Sequence, residues 1–530
     1  MPIEFANSTN LLIEKNTTFA FSTYEFAFMR KFYTIIAFLL LSGFASAQYP
    51  QVVFSGQDLA EYMDETVIFA QTLYVCGHSG RTLYLSYERM RSPEEVAPVG
   101  TAEFTAQQLK CVSGFLTAYC YHIFADTVRL GSTVTNLRAY VTDSQNITVY
   151  GNLNFGNSQA PTNRPDVGNA RLILCASNLQ YYCPIWQGTY GAGSDEEFRI
   201  QNLKILKALA NINADLYALE EVQEGTAGLD SLVSGLNART APGRYAYIAD
   251  GNTSTSTYTK VAMIYRTDKL APYLSLGYPY TSSSSIYRRR EYVQAFTELS
   301  SNERFILSLN HFKAKDGTGS ASTNAARMAN VQQLVSFLTA RLNSNYYNDS
   351  DVLIVGDLNC NTNEEPLLYL ENNQYQNQLK IYNPEAYSYV YDNQVSYLDH
   401  VFASSSMAGQ VTGAAPYHLN ADASYRQGYY YGDTTMYRYS DHDPIVVGLN
   451  LGSSQISNRD SENVDNEVFV YVVGKNILIR SEKAIDVTVY DLLGRIIAYR
   501  SQLQQGYIPM TTAGLYLVRT GNHIKKIVVE

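Results

Sequence analysis

The chain has 530 residues, 39 basic and 49 acidic, for a formal net charge of −10, with 45 Tyr and a single Trp. That length excludes a single small domain, and the acidic balance excludes nucleic-acid binding through bulk positive charge, so a bound metal ion would have to supply positive charge locally. The six cysteines form no CxxC pair, which argues against a structural zinc site.

Residues 1–28 fit no targeting pattern and read as an over-called start. From Met29 the pattern is that of a signal peptide over 29–47: Arg30 and Lys31 lead, an apolar run covers Phe32 to Phe44, and Ala45-Ser46-Ala47 offers small residues for cleavage before Gln48. The apolar run is too short to span a bilayer, which takes about 20 residues, and no other stretch is long and apolar enough. Export permits disulfides, and Cys111 with Cys120, or Cys175 with Cys183, are near enough in sequence to pair.

Short alternating segments such as Thr66-Val-Ile-Phe69 and Asn146-Ile-Thr-Val-Tyr150 predict a small β-domain over 49–160, closed by a polar Pro-, Asn- and Gly-containing stretch. The abundance of Tyr fits strands better than base-stacking platforms. From 168 to 451 the pattern changes to α/β. Apolar runs at 171–176, 261–265, 305–309, 352–355 and 445–449 predict buried strands, and Ile200, Leu203, Leu206 and Leu209 share one face of a helix, as do Met328, Val331, Leu334, Val335 and Leu338. Residues 452–466 read as a linker, and 468–530 as a small β-sandwich.

The strand ends carry the chemistry. In α/β proteins the site is built from side chains at strand ends and in the loops that follow. Here one strand exits into Asn178, one into Glu220-Glu221, one into His311 and Lys313, and one into Gly356-Asp357-Leu358-Asn359. Leu398-Asp399-His400 opens another, and Ser440-Asp441-His442-Asp443-Pro444 precedes the last. One such ending is an ordinary cap. Six on successive segments supply the oxygen ligands that Mg²⁺ prefers and the acid, base and donors that phosphodiester hydrolysis needs.

Taken together and in this order, these residues resemble the motif set of the endonuclease/exonuclease/phosphatase, or DNase I-like, superfamily. The resemblance implies a four-layer α/β sandwich, two packed sheets flanked by helices, and a metal-dependent hydrolase. It implies Glu221 as the principal metal ligand with Asn178 beside it and Asp441 as a second acidic residue of the metal site. Glu220 is second choice, because neighbouring strand residues face opposite sides. Asp357 would orient or deprotonate the attacking water, Asn359 hold a phosphate oxygen, and His311 and His442 contact the phosphate and move protons. Asp399 would orient one of those histidines. Arg289 and Lys313 are candidates for substrate contact, with a strand-edge salt bridge and a solvated lysine as their ordinary alternatives. The implied cofactor is Mg²⁺ or Mn²⁺, with Ca²⁺ also compatible.

Three further resemblances refine this. His418-Leu-Asn-Ala-Asp422 is similar to a segment of bacterial secreted extracellular nucleases, and residues around Gln71 to Val75 and Gly80 to Ser86 resemble the OB-like domain that precedes their catalytic domain. Tyr74 and Tyr84 there read as core rings or as stacking platforms. Val487-Thr-Val-Tyr-Asp-Leu-Leu-Gly-Arg495, Gly514-Leu-Tyr516 and the terminal Lys525-Lys526 resemble the sorting domain of the Bacteroidetes type IX secretion system. The expectation is therefore a secreted or surface-attached monomer that acts on nucleic acid and engages that secretion machinery. A phosphodiesterase of lipid head groups or inositol phosphates would share every catalytic residue. A binding protein without activity would not need all eight motif residues.

Overall fold

The computed structural model describes residues 50–53, 57–89, 115–185, 190–252, 258–279, 291–315, 321–391, 394–452, 468–473, 476–491, 495–520 and 523–529. The signal segment 29–47, Cys111, Arg289 and the linker residues 453–466 lie outside them. The chain divides into two compact units, Met1–Gln455 and Ile456–Glu530.

Alternation along each strand builds the catalytic part of the first unit. One six-stranded sheet runs in the order Tyr245–Tyr247, Thr259–Arg266, Leu216–Gln223, Leu172–Tyr182, Ile445–Leu449, Val411–Pro416. The other runs Leu270–Gly277, Tyr292–Glu298, Arg304–His311, Val352–Asp357, Asp399–Ala403, Gln376–Asn377. Leu172, Leu174 and Ala176 face the space between the sheets and meet Phe305, Leu307, Leu309, Leu353 and Val355 from the other side. The intervening Ile173 and Cys175 point outward, against Ile205, Leu206 and Leu209 of the helix Asp195–Ile212. Ile306, Val352 and Ile354 point outward from the second sheet against Val331, Leu334 and Leu338 of the helix Ala321–Asn343. Period-two strands between period-3.6 helices thus give helix, sheet, sheet, helix, a DNase I-like α/β sandwich.

The helix Asp195–Ile212 shows how local sequence sets an element's bounds. Ser194 Oγ accepts from Glu197 N at 3.2 Å, three acidic residues fill the first turn, and Asn213 closes the helix in the left-handed region.

A nine-stranded sheet with its own core of Val67, Phe69, Val75, Leu83, Ala139 and Ile147 forms the N-terminal part of the same unit. It is tied to the catalytic part through residues 126–130. The buried Arg129 pairs with Asp422 at 2.5 Å, Leu130 N donates to Asp422 O at 2.9 Å, and Ser424 Oγ donates to Asp126 O at 2.7 Å. The second unit is five strands, Val468–Val473, Asn476–Tyr490, Ile496–Pro509, Gly514–Thr520 and His523–Val529, paired antiparallel around Ile477, Ile479, Val487, Val489 and Val518. Among the described residues no helix is long and apolar enough to cross a membrane.

The disulfide between Cys175 and Cys183 is not formed: both are buried thiols, as are Cys76, Cys120 and Cys360. Cys175 lies within the strand Leu172–Tyr182 and Cys183 just beyond it.

Candidate active site

The site forms where two parallel strand pairs end side by side. Leu172–Tyr182 pairs with Leu216–Gln223, placing Asn178 opposite Glu220. Arg304–His311 pairs with Val352–Asp357, placing His311 opposite Asp357, and Asp399 is opposite Asp357 from its other neighbour.

The first pair leaves regular strand geometry at this point. Gln180, Tyr181 and Glu221 all have left-handed φ, at 49°, 50° and 60°. Each such non-glycine residue costs about 1–2 kcal/mol. What the distortion does is plain from its hydrogen bonds: Gln180 N donates to Asn178 Oδ1 and Tyr181 N to Glu221 Oε2, both at 2.9 Å. The curl of one strand therefore holds the carboxamide and the carboxylate. Simple alternation across Glu220 and Glu221 is replaced by this bulge, and both side chains are buried. Gly356, at φ 124°, makes room for Glu220: a Cβ there would lie 2.0 Å from Asn310 O and 2.9 Å from Glu220 Oε1.

Asp357 is the hub. Its Oδ2 lies 3.3 Å from Asn178 Nδ2, 3.4 Å from His311 Nε2 and 3.8 Å from His442 Nε2, while Oδ1 accepts from Asn359 N at 3.0 Å. Asn359 Nδ2 donates to Phe312 O at 3.2 Å. His311 Nε2 is 3.8 Å from Glu221 Oε1. His442 Nδ1 is 2.8 Å from Asp399 Oδ2. The half-buried Asp441 sits beside His442 and receives the Ser440 hydroxyl at 3.4 Å. Lys313 is exposed one residue past Phe312, and Lys315 pairs with Glu364. Thus Asn178, Glu221, His311, Asp357, Asn359, Asp399 and His442 converge, whereas Lys313 lies on the exposed rim.

Burial shapes the electrostatics. It pushes the Asp357 carboxyl up to about 7, with His442 pulling it down and Asp399 up. It also puts Glu220 well above the usual carboxylate range, assisted by Asp399 and Asp357. For His442 burial disfavours the charged ring, yet Asp399 and Asp357 outweigh it and hold the imidazolium well past its ordinary pKa. His400, by contrast, is pushed down to about 4 by burial and is a core residue.

Residues without a motif also shape the site. Glu291 Oε2 accepts from His311 N at 2.8 Å; it directly follows the arginine run that contains Arg289. Ser388 Oγ accepts from Asp399 N at 3.1 Å, and the Tyr389 ring lies 4.6 Å from that of His442; no pattern marks either. Asn420 Nδ2 donates to His442 O at 2.6 Å, and Asp443 accepts from the backbone N–H groups of Asn420 and Ala421. The His418–Asp422 segment therefore wraps the final motif.

The sequence model of the endonuclease/exonuclease/phosphatase family matches residues 177–442, half of the chain. The chain belongs to this family. The family's members are hydrolases, nucleases and phosphatases among them, and depend on divalent metal. Among solved structures, the human nocturnin catalytic domain is 14% identical, with 53% of this chain and 94% of that chain covered and a TM-score of 0.38. A Bacteroides vulgatus endonuclease/exonuclease/phosphatase is 14% identical over 53% and 98%, with a TM-score of 0.37. A Bacteroides thetaiotaomicron mannosyl-6-phosphatase is 14% identical over 53% and 100%, with a TM-score of 0.33. No curated protein matches the chain.

The residues present fit the family's metal. Both Glu220 oxygens are buried without a hydrogen-bond partner among the described residues, which places a further acid beside the ligand set without making it a ligand. Glu220, Glu221, Asp357 and Asp399 crowd one buried site beside the imidazoles of His311 and His442. Buried carboxylates in such excess favour a cation, and oxygen donors favour a hard one. Asp357, Asp399 and His442 bring donor atoms within 4.8 Å of one another and could hold an ion. Asp399 and His442, however, already satisfy each other across 2.8 Å.

Proposed function

We propose that this chain is a secreted, metal-dependent phosphodiesterase that cuts nucleic acid internally, DNA foremost. The observation that carries the reading is the Asp399–His442 pair, with Nε2 of His442 turned toward Asp357 at 3.8 Å among the strand ends that carry Asn178, Glu221 and His311. In this reading Asn178, Glu221 and Asp441 hold Mg²⁺ or Mn²⁺, with Ca²⁺ an alternative occupant. The bound ion supplies charge stabilisation at the phosphate and an acidified water.

The chain's own residues do the rest. Asp357 orients the attacking water and takes its proton as oxygen bonds to phosphorus. Asp399 keeps His442 charged and fixes the orientation of its ring. His442 and His311 donate to the phosphate, and one of them passes a proton to the leaving oxygen as its bond to phosphorus breaks. Asn359 donates to a non-bridging oxygen, and Lys313 and Arg289 are the proposed contacts to the flanking backbone. A base-bearing substrate is favoured by Tyr391, 71% exposed and parallel to Tyr389 at 6.4 Å, with Tyr389 lying on His442. Segment 29–47 directs export and residues 468–530 act as a type IX sorting domain, so the protein works outside the cell as a monomer.

Product analysis on plasmid, single-stranded DNA, RNA and sphingomyelin tests this. Nicking and then linearisation of plasmid is expected, lost in EDTA, restored by Mg²⁺ or Mn²⁺, and slower as salt rises. Sphingomyelin hydrolysis without plasmid cutting refutes the substrate; full activity in metal-stripped protein refutes the mechanism.

A further inference from the structure

A ladder of guanidinium groups and aromatic rings runs from the N-terminal sheet to the loop before the final motif. Arg81 lies 4.6 Å from the Phe124 ring centre, Arg426 lies between Phe124 at 6.0 Å and Tyr431 at 4.8 Å, Tyr431 meets Tyr425 at 5.5 Å, and Arg438 sits 5.7 Å from Tyr425. The rings are not core: Phe124 is 52%, Tyr431 46% and Tyr425 43% exposed. A cluster that served only to staple the two parts together would bury its rings; the join itself rests on Arg129 with Asp422, on Ser424, and on the pair that Arg426 of the ladder makes with Asp126.

At its inner end the ladder opens into a cavity of about 350 Å³, walled by Tyr425, Arg438, His78 and Val390 among others. His78 Nε2 is buried there with no hydrogen-bond partner among the described residues. The cavity adjoins the catalytic residues through the chain on two sides. Val390 follows Tyr389, whose ring lies on His442, and Arg438 precedes Asp441 by three residues.

We infer that this ladder, with the cavity at its inner end, is a track for a single-stranded stretch of polynucleotide leading to the active site. The inference rests on the nuclease reading and deepens it. Rings accept stacked bases of any sequence, and guanidinium groups between them match phosphates and stack on bases as well. Among the described residues the one carboxylate in the ladder's ion pairs is Asp126, against three arginines, so the strip is locally positive on an acidic chain. A neutral glycan would use the rings but has no need of alternating arginines. The cavity accommodates one flipped base, with His78 Nε2 available to its edge.

The test uses the full chain in EDTA, which prevents cutting, and fluorescein-labelled oligo(dT) of 5 and 20 nucleotides read by anisotropy. Wild type should bind the longer strand more tightly. Phe124→Ala/Tyr431→Ala should weaken binding of the longer strand by about tenfold or more and erase its advantage. Its thermal melting, and its metal-dependent turnover of bis(4-nitrophenyl) phosphate, should stay unchanged. If the double variant melts early, Tyr431→Ala alone carries the same test at about fivefold. Unchanged affinity for the longer strand in a folded variant overturns the track, as does binding of soluble xylan in place of oligonucleotide. Parallel loss of small-diester turnover overturns it too, because the rings would then act through the catalytic residues. A wild type that binds through the ladder yet cuts no nucleic acid supports the track and refutes the nuclease reading alone.

Discussion

Replacing Asp399 by asparagine isolates what the carboxylate does for His442. The two side chains are buried and 2.8 Å apart, and the amide keeps the volume while removing the charge. At a charge separation of roughly 4 Å and an effective dielectric of about 20, a carboxylate stabilises an imidazolium by about 4 kcal/mol. If that stabilisation is present in the transition state, its loss lowers turnover by about 10³-fold, within the ~10²–10⁴-fold range of general acid–base catalysis. Turnover of bis(4-nitrophenyl) phosphate and plasmid nicking, each titrated with Mn²⁺, are the assays. The expected result is a fall in the maximal rate with the Mn²⁺ requirement unchanged and the melting temperature near wild type. Recovery of the rate at high Mn²⁺ would refute the reasoning, because Asp357, Asp399 and His442 would then be the ion's ligands. Near-normal turnover at all metal concentrations would refute it equally.

Glu221→Gln should cut turnover by at least about 10²-fold and raise the Mn²⁺ requirement, whereas Glu220→Gln should stay within about threefold. Because burial raises the Glu220 pKa, its ionisation on folding is penalised, so stability in EDTA falls as pH climbs above ~4.5. Glu220→Gln should remove that fall, raising the melting temperature at pH 8 but not at pH 4; an unchanged pH profile counts against the assignment. Gly356→Ala forces a Cβ to 2.0 Å from Asn310 O at φ 124° and should cost more than about 3 kcal/mol, read as soluble yield and urea midpoint; a wild-type midpoint would show that the strand can shift. Deleting 468–530 should leave plasmid cutting intact and abolish appearance outside the cell, and normal secretion of the shortened chain would contradict the sorting role.

Much of the catalytic part was legible because period-two runs announce buried strands and polar endings announce what the strands deliver. Asn178, His311, Asp357, Asp399 and His442 meet as their strand-end positions implied. The exceptions have physical causes. Alternation placed Glu220 and Glu221 on opposite faces, but the left-handed Glu221 breaks the period. The bulge leaves no local signature in Ala-Leu-Glu-Glu-Val. Ser388, Tyr389 and Glu291 support the site through single contacts with residues close only in the fold. Cys175 and Cys183, near enough in sequence to pair, are buried thiols and not a disulfide, because nearness along the chain does not fix the distance between side chains.

The join between the N-terminal sheet and the catalytic part has a bearing on the order in which the chain becomes active. Arg129 donates to the His418 carbonyl, 289 residues later, and Arg426 pairs with Asp126 across 300. The segment that wraps His442 is thus anchored on a part of the chain synthesised about 300 residues earlier. Contacts of such separation form late in folding, so a chain still leaving the ribosome, or threading through a pore amino terminus first, lacks the clasp around its final histidine. A chain that stops short of residue 442 lacks both the clasp and its histidine, so hydrolase activity has to wait for this segment to be delivered, though not for residues 468–530.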